Sequence, residues 1–263
     1  MINKSSNSGL LVADVAPCER LQLLMEYLDL IEKTKFGIFV QALSSMKGGI
    51  GIAFSGGVDS TYLLRIARDA CPGQVVPFLL VSPFLSGKER KWAHSIADEI
   101  GLPLKEVPWY PFDFHCIWEN GSNRCYYCKY AMYHKLWSVC REYGISNLLD
   151  GTQLDDLNSD RPGLKAIHEL SVKIPLAYCN LNKNNIRRLS ANLCLPTWDR
   201  PSQSCLATRV VTGTFITQNL IKDIESAEEL VTDMQIEQLR SWGIQQGEPV
   251  QLNAQVKNNL KTI

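Results

Sequence analysis

The 263-residue sequence has no excess of charge of either sign: 27 Lys and Arg stand against 27 Asp and Glu. A globally basic nucleic-acid binder is therefore disfavoured, although a local basic cleft is not. Also missing is any apolar run near the ~18 residues that a membrane helix needs. The best stretch, residues 50–54, stops at glycines. The first ten residues carry one Lys and no apolar centre suited to export, so a soluble cytoplasmic protein is expected. Hydrophobic residues at 45% and charged residues at 21% exclude disordered, collagen-like and coiled-coil chains. Nine cysteines, an odd count on a chain expected to stay unexported, argue against a complete disulfide framework. Some thiols are thus available as metal ligands or nucleophiles. Self-association is left open.

No internal repeat and no long linker interrupts the chain. Residues 1–17 are polar or mixed and are expected to be flexible. Between residues 18 and 46, Leu21, Leu24, Met25, Leu28, Ile31 and Phe36 recur at helical spacing. The period then changes: a short apolar run at 50–54, a glycine turn, and a helix over 58–70. Strands follow at 74–81, 104–109 and 147–150, and helices at 88–100 and 124–143. A fifth short strand is expected at 172–176 and a helix at 182–193. This alternation predicts an α/β fold, a doubly wound parallel sheet with an N-terminal helix and ligands at the carboxyl ends of the strands. The ATP-binding part would span 18–200. Residues 201–263 would form a small helical appendage with a cysteine loop, one helix over 217–234 and an unassigned polar tail.

Ser55-Gly56-Gly57-Val58-Asp59-Ser60 lies between the first strand and its helix. The glycines allow close backbone approach to an anion, and the helix start offers free N–H groups and a positive dipole end. Ser55 and Ser60 add hydroxyls. Asp59 makes sense beside phosphates if it caps the helix or helps hold Mg2+. The Gly-Lys-Ser/Thr ending of a Walker loop is missing. The hexapeptide instead resembles the pyrophosphate loop of enzymes that split ATP between its α and β phosphates.

After the fourth strand, Asp150-Gly151-Thr152 leads to Asp155-Asp156. The paired carboxylates can position Mg2+ on a polyphosphate, or simply cap a helix. Arg161-Pro162-Gly163 presents an arginine on a rigid turn, fitted to a phosphate or to a structural ion pair.

Cys125 and Cys128 form a C-x-x-C, and Cys205 sits alone in a Pro/Ser-rich loop between Arg200 and Arg209. A zinc site at ordinary spacing is not completed. Three thiolates can hold a [4Fe–4S] cluster with one iron open, or Cys205 can attack an activated substrate directly, with Arg200 and Arg209 lowering its pKa and holding anions. The bland reading makes all three small buried hydrophobes. Cys18, Cys71, Cys116, Cys140, Cys179 and Cys194 read as structural.

Taken in order, the phosphate loop, the Arg-Cys-x-x-Cys-Lys segment, the Asp150 and Asp155–Asp156 motifs, Arg161-Pro162-Gly163 and the stretch from Leu195 to Arg209 resemble one family. It is the ATP-dependent sulfur transferase family of nickel-pincer nucleotide cofactor synthesis. The resemblance runs from about residue 50 to 229. It implies ATP, Mg2+ and a small-molecule carboxylate, a pyridinium dicarboxylate mononucleotide, activated as an acyl-adenylate and converted to a thiocarboxylate. Ser55, Gly56, Gly57, Asp59, Ser60, Gly151, Thr152, Arg161 and Arg209 would bind nucleotide or anions, with Mg2+ near Asp59, Asp155 and Asp156. In the family the sulfur comes either from the cysteine matching Cys205 or from a [4Fe–4S] cluster on Cys125, Cys128 and Cys205, fed by free sulfide or a donor protein. Having all three cysteines, this chain resembles the cluster type. The tail beyond residue 235 departs from the family's usual basic strand. Competing readings are an amide-forming ligase, a thiolase for another heterocycle or for tRNA, and a nucleotide or metal sensor without turnover. Neutral charge counts against tRNA.

Overall fold

A computed structural model of the chain describes residues 30–158 and 162–233. The expected flexible N-terminus, the start of the first helix, Arg161 and the tail lie outside the described residues. The first described element is helix α1 (Leu30–Ser44). Strand β1 (Gly49–Ala53) and helix α2 (Val58–Ala70) follow, with the phosphate loop between them. Next come β2 (Val75–Val81), α3 (Gly87–Ile100) and β3 (Lys105–Pro108). A short helix α4 (His115–Trp118) then leads into the long helix α5 (Arg124–Glu142) and strand β4 (Ile145–Asp150).

These boundaries follow from local chemistry. At the head of α3, the Ser86 hydroxyl accepts a bond from the Glu89 N–H at 3.2 Å, and Gly101 closes it in the left-handed conformation at φ 80°. Strands β1 and β2 are short and apolar, as strands covered on both faces must be, whereas the edge strand β3 carries Lys105 and Glu106.

The four strands are parallel, in the order β3-β2-β1-β4. The order reverses between β1 and β4, and at such a switch point open α/β sheets leave a crevice beyond the carboxyl ends of the strands. Both faces are covered, as expected for a doubly wound sheet. On one, α1, α2 and α3 contribute Phe36, Phe39, Tyr62, Ile66, Ile96 and Ile100 to the largest apolar cluster. On the other, Tyr133, Leu136 and Cys140 of α5 pack with Phe78, Leu148 and Ile167. No described helix is long and apolar enough to cross a membrane.

The second half of the described chain is built from short helices: α6 (Leu154–Leu157), α7 (Pro162–Glu169), α8 (Pro175–Tyr178) and α9 (Lys183–Asn192). The expected fifth strand shrinks to a single parallel bridge between Leu149 and Lys173. Pro175 explains this: without an N–H it cannot extend the ladder, and its fixed φ starts α8 instead. Likewise Pro162 begins a helix rather than making the rigid turn expected there. A 3-10 turn (Leu206–Arg209) follows Cys205, and α10 (Gln218–Asp233) comes last. A third apolar cluster gathers Phe84, Trp109, Ile117, Leu206, Ala207, Ile216 and Ile221 beneath the Cys205 loop. It packs the segment after residue 201 onto the loops that leave β2 and β3.

Candidate active site

The phosphate loop leaves β1 at the switch point and is held by its own hydroxyls. Ser60 Oγ donates to the Gly57 carbonyl at 3.1 Å and lies 3.2 Å from Ser55 Oγ. The Gly57 N–H reaches Ser55 Oγ at 3.4 Å. No side chain caps the start of α2. Its first N–H groups therefore remain available to an anion. Gly56 adopts φ 72°, and a Cβ there would lie 3.0 Å from Ala93 Cα and 3.1 Å from Trp92 Cδ1. The Trp92 indole N–H closes the contact by donating to the Gly56 carbonyl at 2.9 Å.

The acidic turn after β4 packs directly on this loop. A Cβ at Gly151 would stand 3.0 Å from the Ser60 nitrogen and 3.2 Å from its Cα. Only hydrogen fits there, so Gly151 brings the two motifs into contact. Thr152 is buried beside it. Asp150 accepts bonds from the Thr152 N–H (2.8 Å), the Thr152 hydroxyl and the Tyr133 hydroxyl. Burial presses the Asp150 pKa upward, but the Lys129 charge and those hydrogen bonds together hold it below the usual carboxylate value.

Asp59 is less completely partnered. Its Oδ2 pairs with the Lys183 ammonium, while Oδ1 is buried without a hydrogen-bond partner. Burial raises its pKa, the nearby Asp156 raises it further, and Lys183 only partly offsets both. A buried oxygen left unpaired is costly and marks a place where a cation or water completes the set. Asp155 and Asp156 both perform capping work. Asp156 Oδ2 accepts from the Gln153 N–H at 3.1 Å, and Asp155 Oδ2 accepts from the Lys183 N–H at 3.0 Å, at the start of α9. The capping alternative thus describes bonds that the carboxylates make, and the same bonds carry them toward Asp59.

The thiols form a second group. Cys125 and Cys128 lie in the first turn of α5, and Cys205 immediately precedes the 3-10 turn. The Leu206 N–H seats this turn on the Phe84 carbonyl at 3.0 Å, just beyond β2. Cys205 and Cys125 each raise the pKa of Cys128, which burial foremost pushes up to about 12. Cys205 lies at the surface, yet the protein packed around its sulfur raises its pKa also, with Arg124 opposing and Cys125 adding to the rise. The expected lowering by Arg200 and Arg209 is not what the structure shows. Arg200 binds Glu89 Oε1 at 2.6 Å with its guanidinium 4.4 Å above the Trp92 ring, and Arg209 binds Glu228 Oε1 at 2.5 Å. Partnered by carboxylates, both are spent locally, and Arg124 is the cation that acts on Cys205. Among the described residues no three His, Cys, Asp or Glu side chains gather closely enough to hold a single metal ion. All eight described cysteines are free; Cys71, Cys140 and Cys179 are buried, and Cys194 is exposed.

Three participants escaped the sequence reading. Lys183 sits at the start of an expected helix, but nothing local tells that its partner lies 124 residues away. Lys129 and Arg124 flank the two cysteines of the C-x-x-C, and that adjacency was the available signal.

Strand order, glycine loop and acidic turn define a doubly wound α/β protein with two polar motifs packed together at its switch point. Comparison with known proteins narrows the class. No protein-family model matches the chain. It is 30% identical over 203 residues to the pyridinium-3,5-bisthiocarboxylic acid mononucleotide synthase of Lactiplantibacillus plantarum, covering 76% of this chain and 73% of that one. An uncharacterized Synechocystis protein is 34% identical over 189 residues, 72% of this chain and 70% of its own. Another from Methanocaldococcus jannaschii is 30% identical over 182 residues, 68% of each. The chain belongs to the pyridinium-3,5-bisthiocarboxylic acid mononucleotide synthase family.

Proposed function

We propose that the chain is an ATP-dependent sulfur transferase that adenylylates a carboxylate of a small pyridinium mononucleotide and replaces the activated oxygen by sulfur. The observation that carries this reading is the packing of Gly151 on Ser60, which puts the phosphate loop and the carboxylate-bearing turn against each other. The L. plantarum relative is named for a bisthiocarboxylic acid product, which supports a carboxylate as the group acted upon.

The substrate carboxylate oxygen attacks the α phosphorus of ATP, the bond to the bridging oxygen breaks, and pyrophosphate leaves with the electron pair. The N–H groups at Gly57 and the start of α2, with Ser55 and Ser60, hold the departing phosphates, and Gly56, Gly151 and Thr152 shape the floor. Arg161 and Arg209 complete the anion-binding set, Arg209 exchanging Glu228 for substrate phosphate. The unpartnered Asp59 Oδ1, with Asp156 nearby, offers carboxylate oxygen to a hard cation that would take its remaining ligands from phosphate and water. Mg2+ bound there supplies charge compensation for the leaving pyrophosphate.

A sulfur nucleophile then attacks the acyl carbon and AMP departs with the C–O electron pair. Adenylylation is what makes that oxygen a competent leaving group. Cys125 and Cys205 both act on the Cys128 thiol, and Cys125 on that of Cys205, which supports an all-sulfur donor set of the kind that iron–sulfur clusters use. Cys125, Cys128 and Cys205 would hold a [4Fe–4S] cluster, which would supply the sulfide for transfer. Substituting Cys205→Ala is expected to abolish thiolated product while pyrophosphate release persists, both followed under anaerobic conditions with ATP and the dicarboxylate mononucleotide. Sulfur transfer surviving in that variant would remove Cys205 from the mechanism.

A further inference from the structure

The Cys205 segment is joined to α5 by one side-chain hub. Asn120, 1% exposed, lies between α4 and α5 in the left-handed conformation at φ 60°. Asparagine tolerates that conformation better than most residues. Its amide nitrogen donates to the Val211 carbonyl at 2.8 Å and the Thr214 carbonyl at 3.0 Å, and its own carbonyl accepts from the Gly213 N–H at 2.9 Å. Its Oδ1 accepts from Arg124 Nη1 at 2.5 Å. The same Nη1 donates to the Ala207 carbonyl at 2.8 Å, two residues past Cys205, while Nη2 points to Cys125 Sγ at 3.7 Å. Arg124 is the first residue of α5, so its position is tied to the turn that carries Cys125 and Cys128.

These bonds end on backbone carbonyls of residues 207, 211 and 214, so they fix where that segment runs whatever its side chains. We propose that Asn120 and Arg124 are positioning residues, a clamp that sets Cys205 at working distance from Cys125 and Cys128. The inference rests on reading those three thiols as one set. Both short bonds leave one nitrogen, Nη1, and a lysine ammonium ends one bond short of that position and lacks the second nitrogen that faces Cys125, so it does not reach Asn120 Oδ1 and the Ala207 carbonyl together. Charge alone does not make the clamp; the reach of the guanidinium does.

The test is cross-linking of the reduced, cluster-free full chain with dibromobimane, with the bridged cysteine pairs identified by peptide mass spectrometry. The Cys125–Cys128 bridge lies within one helical turn and serves as the internal control. Arg124→Lys keeps the charge, and Asn120→Gly keeps the left-handed backbone but removes the amide. Both variants are expected to lose bridges from Cys205 to Cys125 and Cys128 by about fivefold, the opening that loss of a buried hydrogen bond produces, with the Cys125–Cys128 bridge unchanged. Bridges to Cys205 that persist at the native level in both variants would overturn the clamp, even if thermal stability falls, and would leave the sulfur-transfer proposal standing. Native-level bridging to Cys205 in Arg124→Lys alone would overturn the role of the guanidinium. Loss of the control bridge as well would overturn it too, showing that α5 itself had come apart. Absence of any Cys205 bridge in the unaltered chain would sink both this inference and the shared use of the three thiols.

Discussion

Gly56 and Asp59 show how much single residues decide at the phosphate loop. With φ at 72° and the Ala93 backbone 3.0 Å from a hypothetical Cβ, Gly56 tolerates no side chain. Gly56→Ala is expected to destabilise the fold by about 2 kcal/mol, combining left-handed strain with a contact to backbone that cannot yield; urea unfolding measures it. Asp59 behaves oppositely. Its charge is disfavoured by burial and only partly matched by Lys183. Asp59→Asn is expected to leave the thermal midpoint equal or higher while cutting pyrophosphate release at least about a hundredfold, because a charge kept for the reaction is a burden on the resting fold. A variant that is both less stable and fully active would contradict this. The loop residues were legible in sequence since their spacing alone specifies a glycine turn before a helix. Lys183 and Asn120 were not, because their partners are distant in the chain and only tertiary packing supplies them.

Among elements, β1, β2, α2, α3 and α5 matched their periodicity closely because length and apolar pattern agree on each, and α3 has the Ser86 and Gly101 caps besides. The expected fifth strand and the expected turn at Pro162 give way for one reason: in both places proline starts a helix. The docking of α3 on β3 offers a test at this scale. Glu106 of β3 receives Arg90 Nε at 2.6 Å and Nη2 at 2.5 Å, and meets His94 Nε2 at 2.8 Å. Bonding to Arg90 foremost, then to His94, lowers the Glu106 pKa to about 2 from the usual 4.5. Since the folded value lies below the unfolded one, this contribution is complete above about 4.5 and disappears as pH falls toward about 2. Glu106→Gln is therefore expected to lower the melting temperature at neutral pH, and the difference from the unaltered chain should close progressively in acid. A difference that persists at pH 2 would show that Glu106 acts through something other than its charge.

For the whole molecule, α/β alternation announced a parallel sheet, but strand order could not be read from periodicity. The order β3-β2-β1-β4 places the carboxyl ends of β1 and β4 side by side and so makes neighbours of residues 55–60 and 150–156. The third apolar cluster then folds the Cys205 segment over the ends of β2 and β3. A ligand that binds only the folded crevice must stabilise it: ATP with Mg2+ at a hundred times its dissociation constant is expected to add about 2.7 kcal/mol, seen as a higher unfolding midpoint. An unchanged midpoint at saturating ATP would argue against nucleotide binding. The central claim is that phosphate loop and thiols serve one reaction, and anaerobic turnover of a pyridinium dicarboxylate mononucleotide with ATP, analysed by mass spectrometry of the small molecules, tests it most directly. The account predicts a product in which sulfur has replaced a carboxylate oxygen, formed together with AMP and pyrophosphate. ADP and phosphate in place of AMP and pyrophosphate, or nucleotide cleavage with a sulfur-free product, would contradict it.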